Sequence, residues 1–587
     1  MLYAVLCDFY EKIERTTSRT LMTEYLVELF KSTPPNLIDK VIYLTQGKLH
    51  PDYLGLPELG VAEKLAIKAI SRAYGFSEGE IDAKLKELGD LGLAAEFYCS
   101  RKRQVSLFPH PLTVERVYKD LDRIARASGE GSQQLKLSIL AGLLVDATPK
   151  EARYLIRTVL GALRLGIADM TILDALAITY AKSKEARSKV EYAYNITSDL
   201  GYIARILATE GLEGLKKVKV EVGRPIRVML AERLSSPTEI LNKIGGKGAA
   251  EYKYDGERVQ AHKRGDEIVL FSRRLENITA QYPDVCQYLR EGLLAEEAIV
   301  EGEVVAVNVD TGEMLPFQEL MHRRRKYDIE KVMKELPVTL FLFDILYVNG
   351  ESLLMKPYLE RRNMLKKYVR ESEHLKIAEA KIIDDPKELE KFFEEAVEKG
   401  CEGLVVKSIA PNSIYRAGAR EWLWIKYKRD YKSEMVDTVD LVVVGAYAGK
   451  GRRAGTYGAL LMAAYDDKED VFKTVCKVGT GFTDAELASL PDKLAPYKID
   501  HKHPRVVAMK EIAPDYWFTP ALVAEILGAE ITLSPVHTCG WGEIKPDAGL
   551  AIRFPRFIRW RDDKSPEQAT TEKELIEMYR SQLKKIS

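Results

Sequence analysis

At 587 residues the chain is too long for one hydrophobic core, and its length suggests about four domains. Apolar residues make up 46% and charged residues 30%, as in a soluble globular protein, and 88 basic side chains balance 88 acidic ones. No global positive field therefore advertises nucleic acid, although a local basic face would suffice, since only the contacted phosphates need neutralising.

From the N-terminus, Asp8 and Glu11 arrive too early for a signal peptide, and no apolar run has the length of a bilayer span. Cysteines 7, 99, 286, 401, 476 and 539 lack CxxC spacing, which argues against a zinc ribbon or disulfide framework and fits a reducing cytoplasm. Residues 1 to 215 are predicted as helix after helix. The run Arg101-Lys-Arg-Gln-Val-Ser-Leu-Phe108 sets a Leu-Phe pair beside basic residues, either as a docking loop or as a loop anchored by two buried hydrophobes. Leu155, Ile156, Val159, Leu160 and Leu163 form an apolar stripe at helical spacing, expected to stop at Gly166. Arg153, Arg157 and Arg164 share another face, and such a row is ordinarily a solvated surface.

The pattern changes near Gly223-Arg-Pro225. Beyond it, β-branched runs at 268–272, 298–309, 338–346 and 403–407 alternate with turns, interrupted by helical segments such as 386–399. This predicts a mixed α/β domain over 216–428. A third region, 429–587, carries strand patterns at 441–444, 460–465 and 471–478, with a basic glycine-rich loop, 449–455, between the first two. A β-barrel of the OB-fold type is expected there, since such barrels carry nucleic acid on one face. An amphipathic helix over 572–585 ends the chain, and there are no internal repeats.

The most informative stretch is Glu251-Tyr-Lys-Tyr-Asp-Gly-Glu-Arg258. It follows a loop holding Gly245, Gly246 and Gly248, and it precedes a predicted strand at 259–262. Lys253 stands just before a Tyr-Asp-Gly turn, with a guanidinium five positions further on. Such an amine attacks phosphorus once deprotonated; a free lysine titrates near about 10.4, so neighbouring cations or a metal must lower that value. Alone, the pattern would also describe a surface hairpin with a solvated lysine. Six further blocks follow in order: Phe271-Ser-Arg-Arg-Leu-Glu-Asn-Ile-Thr279, Val300-Glu-Gly-Glu-Val304, Leu342-Phe-Asp-Ile-Leu346 with Asn349-Gly350, Glu402-Gly-Leu-Val-Val-Lys407, Trp424-Ile-Lys-Tyr-Lys428, and the segment from Arg553-Phe-Pro-Arg-Phe to Lys564.

Lys253 to Arg258 and these blocks resemble the motifs of covalent nucleotidyltransferases, and with the helical N-terminal third they are most similar to the archaeal and eukaryotic-type ATP-dependent DNA ligases. Leu88-Gly-Asp-Leu-Gly92 and the stretch from Leu155 to Gly166 resemble the helical DNA-binding domain of that family. Val228 stands where the family usually has proline. The resemblance implies three domains: all-α DNA-binding, α/β nucleotidyltransferase (adenylation) and OB-fold. It implies that Lys253 takes AMP from ATP, that AMP passes to the 5′-phosphate at a nick in duplex DNA, and that the 3′-hydroxyl then displaces it.

Site roles follow from the same resemblance. Phe343 would stack on the adenine, though Phe341 and Leu342 are equally apolar neighbours, and Glu251 would read the purine edge. Arg258 and Arg273 would hold ribose and phosphate with planar forks that suit oxygen pairs. Glu303 and Glu402 would hold a ribose hydroxyl or bind Mg²⁺, a cation that prefers oxygen ligands. Arg420, Lys426 and Lys428 would lie along the phosphates with Lys407 nearby, and Arg164 with the amides near Gly166 would touch the DNA backbone. The last block, around Arg553, Arg559, Asp563 and Lys564, would approach the pyrophosphate, and a hinge near 429–431 would reorient the barrel. Gln104, Leu107 and Phe108 resemble a sliding-clamp-binding peptide, and a monomer is expected. A capping guanylyltransferase, an RNA ligase or a catalytically dead scaffold are the rival readings. No P-loop is present, since 445–451 has the wrong spacing and no hydroxyl.

Overall fold

A computed structural model describes the chain except residues 58, 60, 104–109, 164, 183, 308–313, 316, 318, 319, 321–332, 335, 429–437, 450–455, 529, 535, 554 and 585–587. The chain forms two compact units. One comprises Met1–Glu232, Ile244–Ile382 and Lys407–Trp424, and the other Arg233–Lys243, Ile383–Val406 and Ile425–Ser587. Among the described residues no helix is long and apolar enough to cross a membrane. All six cysteines are buried, unbridged thiols.

The first unit begins with helices, from Tyr3–Glu14 to Leu200–Gly214. Helix Pro149–Val159 starts as its sequence dictates. Pro149 occupies the first turn, the Thr148 side chain accepts from Glu151 N, and Glu151 accepts from Thr148 N at 2.8 Å. Its end corrects the expectation of a stripe running to Gly166. Gly161 adopts φ 64°, its N–H reaches Thr158 O at 3.1 Å, and Ala162 N–H reaches Arg157 O at 2.7 Å. That pair of bonds closes a helix through a left-handed glycine, so Leu160 and Leu163 lie past its last turn.

The arginine row on this helix is not a solvated face. Arg153 pairs with Glu11 at 2.9 Å, and Arg157 with Glu14 at 2.8 Å and Asp90 at 2.9 Å. The segment Leu88-Gly-Asp-Leu-Gly92 makes this packing possible. Asp90 caps helix Leu91–Cys99 by accepting from Leu93 N at 3.0 Å. A Cβ on Gly92 would lie 2.7 Å from Arg153 O, so only glycine lets the two helices approach so closely. Here a segment that resembles the family's DNA-binding domain builds helix packing; Arg164, the expected backbone contact, lies outside the described residues.

Downstream, the same unit holds a sheet in the order Glu267–Ser272, Glu257–Arg264, Glu297–Ala306, Val338–Val348, Glu351–Ser352, with Leu375–Ile377 pairing parallel to Val338–Val348. Period-two alternation sorts its faces. Val259, Ala261, Val300, Val304, Leu340 and Leu342 enter a core with Val285 and Leu289 of helix Pro283–Gly292 and Leu365 of helix Tyr358–Tyr368. Burying each large side chain contributes about 1.5–3 kcal/mol. The opposite face carries Arg258, Gln260, His262, Glu301 and Glu303. One irregularity matters for the site: Glu301 pairs with Asp344 and Gly302 with Leu342, so Phe343 is the extra residue of a β-bulge.

The second unit is strand-rich, as the fold class anticipates. Val439–Ala448, Tyr457–Asp466 and Val471–Val478 run antiparallel, and Val439–Ala448 also pairs with Tyr516–Phe518 and Val523–Leu527. Apolar groups pack on both faces. Leu441, Leu460, Met462 and Phe557 join Leu575 of the terminal helix Glu572–Lys584, while Val442, Val444, Leu461 and Phe472 form a second cluster. Burial on both faces explains why these strands read as nearly continuous apolar runs.

Candidate active site

Lys253 ends strand Gly248–Lys253, part of a five-stranded sheet, and is half-buried. Glu251 precedes it by two residues, so both side chains leave the same strand face. The turn that follows is fixed by steric contact: a Cβ on Gly256 would stand 2.2 Å from Val304 O and 3.0 Å from Glu303 Cγ. This brings Arg258 into the ladder opposite Glu303.

Glu251 is only 2% exposed, yet well partnered. It accepts from the Tyr358 hydroxyl, from Arg362 Nη1 at 3.0 Å and from Lys407 Nζ at 2.6 Å. Lys407 is itself buried. Its ammonium lies 4.3 Å from the Trp424 ring centroid, 5.0 Å from Phe343 and 5.1 Å from Tyr358, and donates to Phe343 O at 3.4 Å. Burial pushes the Lys407 pKa down, with Glu251 opposing. Burial also raises the Tyr358 hydroxyl well above its usual value, helped by the Glu251 charge. Lys407 thus closes on Glu251 inside an aromatic cage rather than standing open for phosphates.

Phe343 is the half-exposed aromatic of this cluster, edge-on to Trp424 at 6.3 Å and 85°. Its rivals are committed elsewhere. Phe341 stacks on Tyr254 at 3.9 Å, and Leu342 is fully buried in the core. The Arg258 guanidinium lies 5.3 Å from the Phe343 ring. Its fork is engaged, donating to Met229 O at 2.9 Å and Glu301 at 2.8 Å, while its buried Nε has no described partner. Glu301 also accepts from Tyr415 at 2.9 Å and Gln260 at 3.3 Å. Below, Asp344 takes a two-pronged pair from the buried Arg361 at 2.8 and 3.0 Å.

The structure therefore gathers Glu251, Lys253, Arg258, Glu303 and Phe343, and adds Tyr358, Arg362, Trp424, Tyr415 and Glu301, which the sequence did not single out. The blocks at 402–407 and 424–428 gave Lys407 and Trp424 a place, but only the folded chain gives them their partners. Arg273 is exposed in the turn after Glu267–Ser272, and Arg420 is exposed at the start of strand Arg420–Lys428; neither enters the described hydrogen bonds of the cluster. In the second unit Glu402 pairs with Lys428 at 2.6 Å, and Lys426 is half-buried. There too Arg559 pairs with Glu525 at 2.6 Å, Lys564 with Asp440 at 2.6 Å and Asp563 with Arg561 at 2.8 Å. The Arg553 side chain, the hinge at 429–431 and Gln104, Leu107 and Phe108 lie outside the described residues. Among the described residues no group of three or more His, Cys, Asp or Glu side chains could hold a metal ion.

Comparison with known proteins gives this fold and its lysine-bearing cluster a family. Residues 2–177 match the model of the DNA ligase N terminus, 228–428 the ATP dependent DNA ligase domain, and 453–564 the ATP dependent DNA ligase C terminal region. The DNA ligase 2 of Thermofilum pendens is 61% identical over 99% of this chain and 98% of its own length. The DNA ligase of Staphylothermus marinus is 59% identical over 100% of both chains. A solved structure described as "Pmar-Lig_Pre." shares the fold, with a TM-score of 0.56 over 95% of this chain and 99% of its own at 18% identity. The chain belongs to the ATP-dependent DNA ligase family. The resemblance read from seven motifs is borne out over the full length.

Proposed function

We propose that this chain seals nicks in duplex DNA, with ATP as the donor of an adenylate carried on Lys253. The observation that supports it best is the placement of Lys253 and Glu251 on one strand face, beside a bulged Phe343 and the buried Lys407. Lys253 Nζ attacks the α-phosphorus of ATP; an N–P bond forms, the bond to pyrophosphate breaks, and the amine gives up a proton. The adenylate then passes to a 5′-phosphate, and the 3′-hydroxyl displaces AMP to close the strand.

In this reading Phe343 stacks on the adenine and Glu251 meets its edge. Arg258, whose Nε is buried without a described partner, and Arg273 hold ribose and phosphate oxygens. Arg420 and Lys426 bring positive charge to the phosphates. Mg²⁺ keeps several waters and needs only one or two protein carboxylates beside substrate phosphates, so the separate Glu303 and Glu402 fit it or the ribose hydroxyl. When bound, the cation neutralises phosphate charge. The helical domain grips phosphates without reading bases, as nicks in any sequence require.

We further assign a cytoplasmic monomer, and sliding-clamp docking through Gln104, Leu107 and Phe108. Phe108→Ala is expected to lose clamp stimulation of sealing; undiminished stimulation would remove that assignment. The main reading is tested by incubating the chain with α-labelled ATP or GTP and Mg²⁺ and then denaturing it. Label from ATP that is absent in Lys253→Ala is expected. Label from GTP alone would favour a capping enzyme, and no label a scaffold. Chelating the metal is expected to abolish labelling.

A further inference from the structure

Glu251 is more than neutralised by its surroundings. Its Oε1 accepts from Tyr358 and, at 3.0 Å, from Arg362, while its Oε2 accepts from Lys407 at 2.6 Å. An ionised carboxylate offers about four acceptor positions and no donor. Described donors fill three of them, which leaves one lone pair on Oε2. Two of the three donors, Arg362 and Lys407, are cations. The groups facing it are Tyr358 and Arg362 from helix Tyr358–Tyr368, Lys407 from strand Gly403–Ser408, and Lys253 on its own strand. Asp344, the nearby acid, is tied to Arg361 at 2.8 Å.

We propose that Lys407, with Arg362 and Tyr358, positions Glu251 as an acceptor-only reader of the donor base, selecting a purine with an amino group where guanine and hypoxanthine carry a carbonyl. The inference rests on the reading above that Glu251 meets the purine edge. A 6-amino group donates into the remaining lone pair. A 6-oxo group brings its own lone pairs against a carboxylate and is turned away. Without Lys407, Oε2 loses its bond to the ammonium and the carboxyl can turn, so its lone pair no longer holds a fixed place. Selection then weakens.

The test is single-turnover labelling of the full chain with α-labelled ATP and with its hypoxanthine analogue ITP. Wild type is expected to label faster from ATP than from ITP. Lys407→Met preserves volume and removes charge; it should lower the ATP-to-ITP rate ratio by about tenfold or more. Arg362→Met, at a less buried position, should act in the same direction and decides the matter should Lys407→Met not fold. If both variants slow ATP and ITP equally and leave the ratio as in wild type, the positioning role is overturned. Glu251→Gln separates the two layers: a wild-type ratio in that variant would overturn the purine-edge reading itself.

Discussion

A Cβ on Gly256 would press into the backbone of Val304, 2.2 Å from its oxygen and 2.9 Å from its carbon, where no rotamer change can relieve it. Overpacking of this kind costs about 1–3 kcal/mol. Gly256→Ala is therefore expected to lower the melting temperature by a few degrees and to cut adenylation far more, because the same turn connects Lys253 to Arg258. A variant labelled by ATP at the wild-type rate would show that the turn does not govern the amine. Phe343 allows a sharper comparison. Base stacking on an aromatic is worth about 1–3 kcal/mol, so Phe343→Ala should raise the KM for ATP, whereas Phe341→Ala, which removes a ring stacked on Tyr254, should chiefly lower stability. Equal KM effects would contradict the assignment. At this scale the lysine motif was legible in the sequence, because Lys253, the glycine turn and Arg258 are neighbours in the chain. Tyr358 and Arg362 were not legible: they reach Glu251 across 107 and 111 residues, and nothing in their spacing points to a carboxylate. Lys407 was readable as a charge but not as a buried one, since burial depends on three rings brought in by other elements.

Elements were most legible where one period ran uninterrupted. Alternation in Glu257–Arg264 and Glu297–Ala306 separates core from polar face residue by residue. It fails at Phe343, because a bulge inserts a residue that no period-two pattern foresees. Helix Pro149–Val159 fails at the other end: Leu160 and Leu163 continue the apolar spacing, but Gly161 takes a left-handed conformation and closes the helix. A side chain there costs about 1–2 kcal/mol, so Gly161→Ala should lower the unfolding free energy by that amount and shift the denaturation midpoint downward. An unchanged midpoint would mean the glycine is not needed for the stop. The arginines of this helix illustrate why a charge row is ambiguous. Their partners Glu11, Glu14 and Asp90 lie on other helices, so ion pairing and DNA contact look alike in sequence.

Across the molecule, equal numbers of acids and bases conceal how the charges are used, since many are paired internally, among the helices and around Glu251. The domain order was legible because helical and strand periods occupy separate thirds. Stability should depend on pH through the junction that follows the helices. His262 is buried, accepts from Gly223 N at 2.9 Å through Nδ1, and donates to Gln260 through Nε2 at 2.9 Å. Burial, reinforced by the Arg264 charge, pushes its pKa down to about 3 from 6.5. Between those values the unfolded chain binds a proton that the native chain does not, so stability rises with pH. The contribution is complete above about pH 6.5 and is lost on acidification, by up to about 1.4 kcal/mol per pH unit. His262→Phe should start from a lower melting temperature and fall less steeply from pH 6.5 toward acid; parallel profiles would contradict the neutral buried imidazole.

One amine, that of Lys253, is central to the proposed chemistry. After incubation with ATP and Mg²⁺, the proteolytic peptide spanning Lys253 should gain the mass of one AMP by mass spectrometry, and should return to its original mass once nicked duplex DNA is added. An adduct on another lysine, no adduct, or an adduct that nicked DNA fails to discharge would contradict it.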